Sequence, residues 1–338
     1  MAFTFMSCNE RMFDYEGDCE VHHIVRFRYE RNLKWADAFP AEVKSVNLYV
    51  FDNNGVFVQE YSGKGSALSN GDYGIELKNL PVGTYKFVAW CGLDNGKAEE
   101  SFTVPQPVAG QTTIDELTCS LNSVRITRSG EYSSKRLDFM YHGYMEATLV
   151  DKNDGRTFEY VMDLTKDTNH IRILLEELSS DEDMNPDDYE ITIECANGVL
   201  AYDNSIIGSE VVTYKPWALD NDLVSIGKPD VSKPTFVKGL YADLSLSRLM
   251  VSQRNSLFLT ISHDNKVVVR VPLIQYALMS REYYEEAYGH LMTDQEFLDR
   301  EDEFVFTFFL FGNRWLDSYI DIYSWRIVLH DYDVDSGM

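Results

Sequence analysis

Apolar and polar positions alternate over short stretches of this chain, and turn-forming residues separate the stretches. In 21–29, Val25, Phe27 and Tyr29 share one face while Arg26 and Arg28 take the other. Val46, Leu48 and Val50 alternate with Asn47, Tyr49 and Phe51. This period of two predicts strands. Asp52-Asn53-Asn54-Gly55 follows, and its Asn-Gly pair predicts a hairpin turn with positive φ before Val56 and Val58 return as the partner strand. Tyr73–Leu77 leads into the turn Leu80-Pro81-Val82-Gly83. From Thr84 to Trp90, Tyr85, Phe87 and Ala89 oppose Lys86, Val88 and Trp90, and Gly92–Gly96 closes that strand. Residues 101–136 are more polar and carry Pro105, Pro107 and Gly110, which predicts a long surface connection.

A second run of strands starts near Ala147. Phe158–Leu164 and Ile171–Leu175 are separated by Thr165–Asn169, and an acidic loop spans Glu176–Asp188. Tyr189–Cys195 ends at Asn197-Gly198. Leu257–Ser262 and Val267–Leu273 flank a hairpin turn at His263–Lys266, and Phe304–Phe311 and Tyr323–Leu329 complete the set. Thr293 and Glu296 form a capping box, the start of a helix carrying Phe297 and Leu298. Ser280–Leu291 reads as a second short helix or an irregular crossover. Two blocks of short strands predict an all-β fold of two antiparallel β-sandwiches with short helical crossovers. The absence of βαβ alternation argues against a doubly wound nucleotide-binding sheet.

Composition narrows the picture further. Aromatic residues make up 13% of the 338 residues, led by 21 Tyr and 19 Phe, which suits pleated, half-buried surfaces. A net charge of −25 argues against a nucleic-acid partner, because phosphate backbones need a cationic footprint. At 44% hydrophobic residues the chain is not a disordered solvating polymer. Five Cys are too few for a disulfide scaffold of this length. The longest apolar runs, Phe304–Phe311 and Val267–Leu273, fall short of the roughly 18 residues a membrane-spanning helix needs.

The search for catalytic or metal chemistry is negative, so a non-enzymatic protein without cofactor is expected. None of the seven His (His22, His23, His142, His170, His263, His290 and His330) sits in a metal-ligand spacing. His22 and His23 would point to opposite faces of one strand. Asp181, Asp183 and Asn185 begin like a calcium loop, but Pro186 stands where the turn needs Gly and Thr192 where it needs Glu, so a solvated acidic loop is expected. Asp151–Gly155 fits a plain turn. No nucleophile elbow, phosphate loop or Gly-x-Gly-x-x-Gly is found. Cys91, Cys119 and Cys195 lie in strand-like runs and are expected to be buried small hydrophobes or unpaired thiols. Tyr283, Tyr284 and Tyr288 cluster in the crossover, either packed over a sandwich or free to stack on a host or polysaccharide sugar.

The first residues read as the tail of a secretion signal, with Phe5-Met6-Ser7 leading to Cys8. The cationic start of such a signal is missing and its apolar run is a stub, as expected if the coding sequence opens upstream of Met1 or the chain was trimmed. By itself the segment also reads as a frayed terminus with a chance Cys.

A longer combination carries more. It runs Ser7-Cys8, Gly17-Asp18-Cys19, Val25–Tyr29, Phe39, Val43, Val46–Gly55, Leu80–Tyr85 and Val88–Leu93. It continues with Thr168–Ile173, Leu298–Glu301, Phe304–Phe311 and Trp325–Val328. In order and spacing this chain resembles the fimbrillin-associated anchor family, the FimB-type minor fimbrial subunit lipoproteins of anaerobic Gram-negative bacteria. The resemblance implies two transthyretin-like β-sandwiches. It implies a pilus (fimbrium) anchor or minor subunit that engages stalk subunits by β-strand addition. It further implies a palmitate-type lipid anchor on Cys8, with Phe5 where the family's motif usually has Leu, and a surface-exposed position at the cell outer membrane. A surface adhesin binding host or bacterial glycans is the alternative role for the same fold. The expected division is 1–19 for signal remnant, lipidated Cys and tether, 20–145 for the first sandwich, 146–333 for the second, and 334–338 for a tail.

Overall fold

The computed structural model describes residues 21–330, apart from 95, 97–98, 123, 128–129, 152–155, 180–183, 227–234 and 323–324. Cys8, Cys19, most of Asp151–Gly155, residues 180–183 of the acidic loop and Tyr323 lie outside the described residues. The first half contributes strands β1 (His22–Arg28), β2 (Ser45–Asp52), β3 (Phe57–Lys64), β4 (Gly74–Glu76), β5 (Gly83–Cys91) and β6 (Phe102–Thr103). It goes on with β7 (Thr118–Leu121), β8 (Val124–Thr127), β9 (Gly130–Ser133), β10 (Tyr141–Leu149), β11 (Thr157–Asp163) and β12 (Thr165–Lys166). A single helical turn, α1 (Phe39–Glu42), follows β1. The first sandwich packs sheet β11-β1-β4 on sheet β12-β10-β5-β2-β3. Its core holds Val25, Phe27, Val46, Leu48, Val50, Phe87, Ala89, Cys91 and Met162.

The second half supplies β13 (Asn169–Glu177), β14 (Tyr189–Cys195), β15 (Val199–Ala201), β16 (Val212–Tyr214), β17 (Ala218–Ile226) and β18 (Thr235–Leu246). After these come β19 (Phe258–His263), β20 (Lys266–Pro272), α2 (Leu273–Tyr288), α3 (Asp294–Arg300), β21 (Glu303–Leu310), β22 (Trp315–Ile322) and β23 (Trp325–His330). They form two six-stranded sheets, β17-β18-β13-β21-β22-β23 and β20-β19-β14-β16-β9-β8. A small sheet, β15-β7-β6, is shared by both halves of the chain. The pairs β1–β11, β13–β21 and β9–β16 are parallel, so the expectation of antiparallel sheets holds only for the remaining pairings.

The alternation in β2 and β5 is real, but both faces are buried. Val46, Leu48 and Val50 enter the first core, whereas Tyr49, Phe51, Val88 and Trp90 join a second core that extends through the second sandwich. The stretch 101–136, expected as a surface connection, instead contributes to that second core through its described residues. Phe102, Ile114, Leu117, Cys119 and Leu121 from this stretch are all buried. Pro105, Gln106, Gly110 and Gln111 are exposed on the outside of the stretch and hide its apolar side, although Pro107 is buried. The limit expected after residue 145 falls inside β10, and pairing with the first sandwich runs on through Lys166.

Turn chemistry explains the local differences. At the β2–β3 hairpin only Gly55 has positive φ (79°), and the Asp52 carboxylate accepts the amides of Asn54 and Val56, both at 2.9 Å. At β19–β20 both Asp264 (48°) and Asn265 (61°) are left-handed, the geometry of a two-residue hairpin. The helix expected from Ser280 begins earlier: α2 covers 16 residues from Leu273, directly after Pro272, and ends on Gly289 at φ 73°. Of the capping box expected at α3, the Thr293 half forms, with its Oγ1 accepting the Glu296 amide at 3.1 Å, while the Glu296 carboxylate turns to Arg300 at 2.9 Å instead of the Thr293 amide.

Candidate functional site

Two stretches that carried the family resemblance, Thr168–Ile173 and Leu298–Glu301, meet at the junction of the sandwiches. The connection Thr165–Asn169 is buried although every residue in it is polar. Thr168 Oγ1 accepts the Met140 amide and donates to the Asp138 carbonyl, both at 3.0 Å. Asp167 is fully buried, accepts from Asn204 Nδ2 at 2.9 Å, and has Arg248 Nε 3.7 Å away. Burial pushes its carboxyl up to about 7 against the pull of Arg248. Arg248 in turn holds Asp299 of α3 through two bonds, at 2.9 and 3.1 Å. Lys166 lies between Glu42 of α1 and Asp302, with its ammonium 3.6 Å from the Phe139 ring centre. Glu301 is buried and pushed up to about 8 by that burial, with its carboxyl accepting the Glu303 amide at 2.9 Å. His142 is pushed down to about 4 by burial, and its Nε2 meets the Tyr202 carbonyl at 2.8 Å.

A second contact rivets the loop after β1 to the helices. Trp35 stands at φ 52°, its ring 4.1 Å from His290 and 3.9 Å from the Arg300 guanidinium. Its indole N–H donates to Tyr284 Oη at 2.8 Å, and that hydroxyl donates to the Leu33 carbonyl at 2.9 Å. Arg300 Nη1 also donates to the Glu30 carbonyl at 2.9 Å. These contacts tie the segment 30–35 to α2, α3 and His290 between them. They place no nucleophile beside a base in an open cleft.

The residues singled out from sequence separate as follows. Cys8, the lipidation candidate, lies outside the described residues. Cys91, Cys119 and Cys195 are free and buried, and burial pushes all three thiols up, Cys195 to about 12. His22 meets Glu76 at 2.7 Å while His23 meets Tyr160 Oη at 3.0 Å on the other face of β1. Asn185, read in the solvated acidic loop, caps a short 3₁₀ turn. Among the described residues no group of three or more His, Cys, Asp or Glu could hold a metal ion. The tyrosine cluster splits: Tyr284 is buried, while Tyr283 and Tyr288 are exposed. Sequence reading missed the junction itself. Its partners lie far apart in the chain, Asn204 being 37 positions from Asp167 and Asp302 being 136 from Lys166, so no local spacing marks them.

This architecture is shared by known proteins. The chain is 22% identical over 284 residues to the minor fimbrium anchoring subunit Mfa2 of Porphyromonas gingivalis, covering 82% of this chain and 77% of that one. A Bacteroides thetaiotaomicron structure put forward as an adhesin superposes with a TM-score of 0.75 at 32% identity, covering 91% of this chain and 98% of the other. The fimbrial anchor protein Mfa2 of Porphyromonas gingivalis superposes with a TM-score of 0.65 at 15% identity, over 92% of this chain and 99% of that chain, which is a likeness of fold. Residues 15–331, which include both sandwiches and the junction between them, match the family described as fimbrillin-A associated anchor proteins Mfa1 and Mfa2, and the chain belongs to that family.

Proposed function

We propose that this protein is a lipid-anchored surface subunit that holds a fimbria to the outer membrane, and that it works without catalysis. The observation that carries the reading is the family match over 15–331, spanning both sandwiches and their junction. Lipidation at Cys8 would tie down the end from which the described fold begins at Val21. A single acyl chain contributes ~0.8 kcal/mol per buried CH₂ and anchors only marginally, so the anchor needs several chains on that Cys. No helix among the described residues is long and apolar enough to cross a membrane, so the lipid is the attachment this reading relies on.

Engagement of the stalk by strand addition needs an open sheet edge, where main-chain hydrogen bonds give affinity and side-chain pockets give register. Among the outer strands described, β17 is the longest, with nine residues paired to β18 along its whole length. The opposite outer strand of the neighbouring sheet, β20, carries Lys266, Arg270 and Pro272, residues that blunt an edge. We assign β17 as the acceptor. The test of the reading is Cys8→Ala in the full-length precursor: fimbriae should be shed into the medium, and fimbriae that stay on the cell would overturn it.

A second reading, glycan adhesion, is favoured by Tyr283 and Tyr288, whose exposed rings on α2 could stack on sugars. A glycan array without a binder would remove it.

A further inference from the structure

The two ends of the molecule differ. In the first sandwich, β1 starts at His22 and β10 finishes at Leu149 opposite Gly83, so Val21, Val82 and Val150 gather at the end away from the junction. The N-terminal segment joins the fold there. In the second sandwich, β13 and β21 leave the junction side by side and finish at Glu177 and Leu310. Leu178 and the β21–β22 turn follow at the end of these strands away from the junction.

That end displays apolar side chains on a rigid frame. Phe311, Leu178 and Leu316 are 57%, 46% and 49% exposed. Phe311 opens the β21–β22 turn, where Gly312 and Asn313 both take left-handed backbone (60° and 56°), and the Phe311 amide donates to the Arg314 carbonyl at 2.8 Å. Leu316 is the extra residue of a bulge: Phe309 pairs with Asp317 and Leu310 with Trp315. Bulges re-aim side chains, and this one turns a leucine into solvent. Glu177 clamps the turn by accepting the amides of Gly312 and Asn313, both at 2.9 Å. Tyr189 Oη adds a bond to Asn313 Oδ1 at 3.2 Å. A phenylalanine held this way loses little freedom on binding, which favours a contact surface over a frayed loop.

The surroundings select the partner. Asp188 and Asp264 are exposed and, with Glu177, lie beside Tyr189, whose hydroxyl bonds Asn313 of the turn, while Arg314 is the cation of the turn itself. A second copy of this chain, itself at −25, would bring like charge to the same face. We propose that this far end is a docking face for another fimbrial subunit, which presents an apolar socket for Phe311 and Leu316 inside a basic rim. The proposal rests on the anchor reading and extends it: membrane tether at one end, stalk contact at the other.

The test is F311S/L316S in the full-length precursor, with membrane fraction, melting temperature and fimbrial retention measured together. The variant should stay membrane-bound and folded while retention drops about tenfold or more, the scale of losing a hot-spot contact. Unchanged retention with a folded variant overturns the proposal. If Cys8→Ala sheds fimbriae while F311S/L316S keeps them, the docking face is wrong and the anchor reading stands. A second measurement does not depend on the variant folding: a benzophenone amino acid placed at position 311, or at 82 at the opposite end, and irradiated on fimbriated cells. An adduct with a fimbrial subunit from 311 and none from 82 supports the proposal. Adducts from 82 only, with a second copy of this chain only, or from neither position contradict it.

Discussion

Asp167 and Glu301 are carboxyl groups buried where the two sandwiches meet, and they set a pH dependence. Burial raises Asp167 to about 7 and Glu301 to about 8, so the folded state holds protons that the unfolded chain releases in the ordinary carboxylate range. Their contribution to stability is fully present at acid pH and is lost as pH rises through those values. His142 works the other way: lowered to about 4, it costs stability as pH falls below the ordinary imidazole value. A melting-temperature profile should therefore decline toward alkaline pH, and Asp167→Asn should flatten that limb. A variant profile parallel to wild type would contradict the assignment. Asp299→Ala tests the same cluster differently. It leaves Arg248 without its bidentate partner and should cost about 3 kcal/mol or more in denaturant unfolding.

At the scale of elements, strands were legible wherever one period of two ran between good turn residues. β14, the β19–β20 hairpin and the start of α3 stand where the sequence placed them. Thr293→Ala should remove the α3 cap and cost about 1 kcal/mol, read as a shift in the urea midpoint without change of slope. What misled was burial on a second side. Alternation in β2 cannot tell one buried face from two, because Tyr49 and Phe51 suit either a wet face or a core. The stretch 101–136 read as surface because its prolines and polar residues outnumber the few apolar ones that cover Trp90. The polar run Thr165–Asn169 reads in the sequence only as a break between two strands, since nothing nearby announces Arg248, Asn204 or Asp302.

At the scale of the whole molecule, the sandwiches are not separable beads. One core runs from Phe51 and Trp90 through the shared sheet to Phe304 and Phe308, and β9 of the first half pairs with β16 of the second. Calorimetry should give a single transition with matching calorimetric and van't Hoff enthalpies, whereas two resolved transitions would show independent domains. If the proposed anchoring role holds, a coupled unit suits it, because a hinge at the junction would yield first under tension. Whether the chain ties a fimbria to the cell through Cys8 is read most directly by counting cell-attached and shed fimbriae in cells making the Cys8→Ala precursor. Intact fimbriae should appear in the medium, with the variant protein released from the membrane. Fimbriae retained on the cell at wild-type numbers would contradict it.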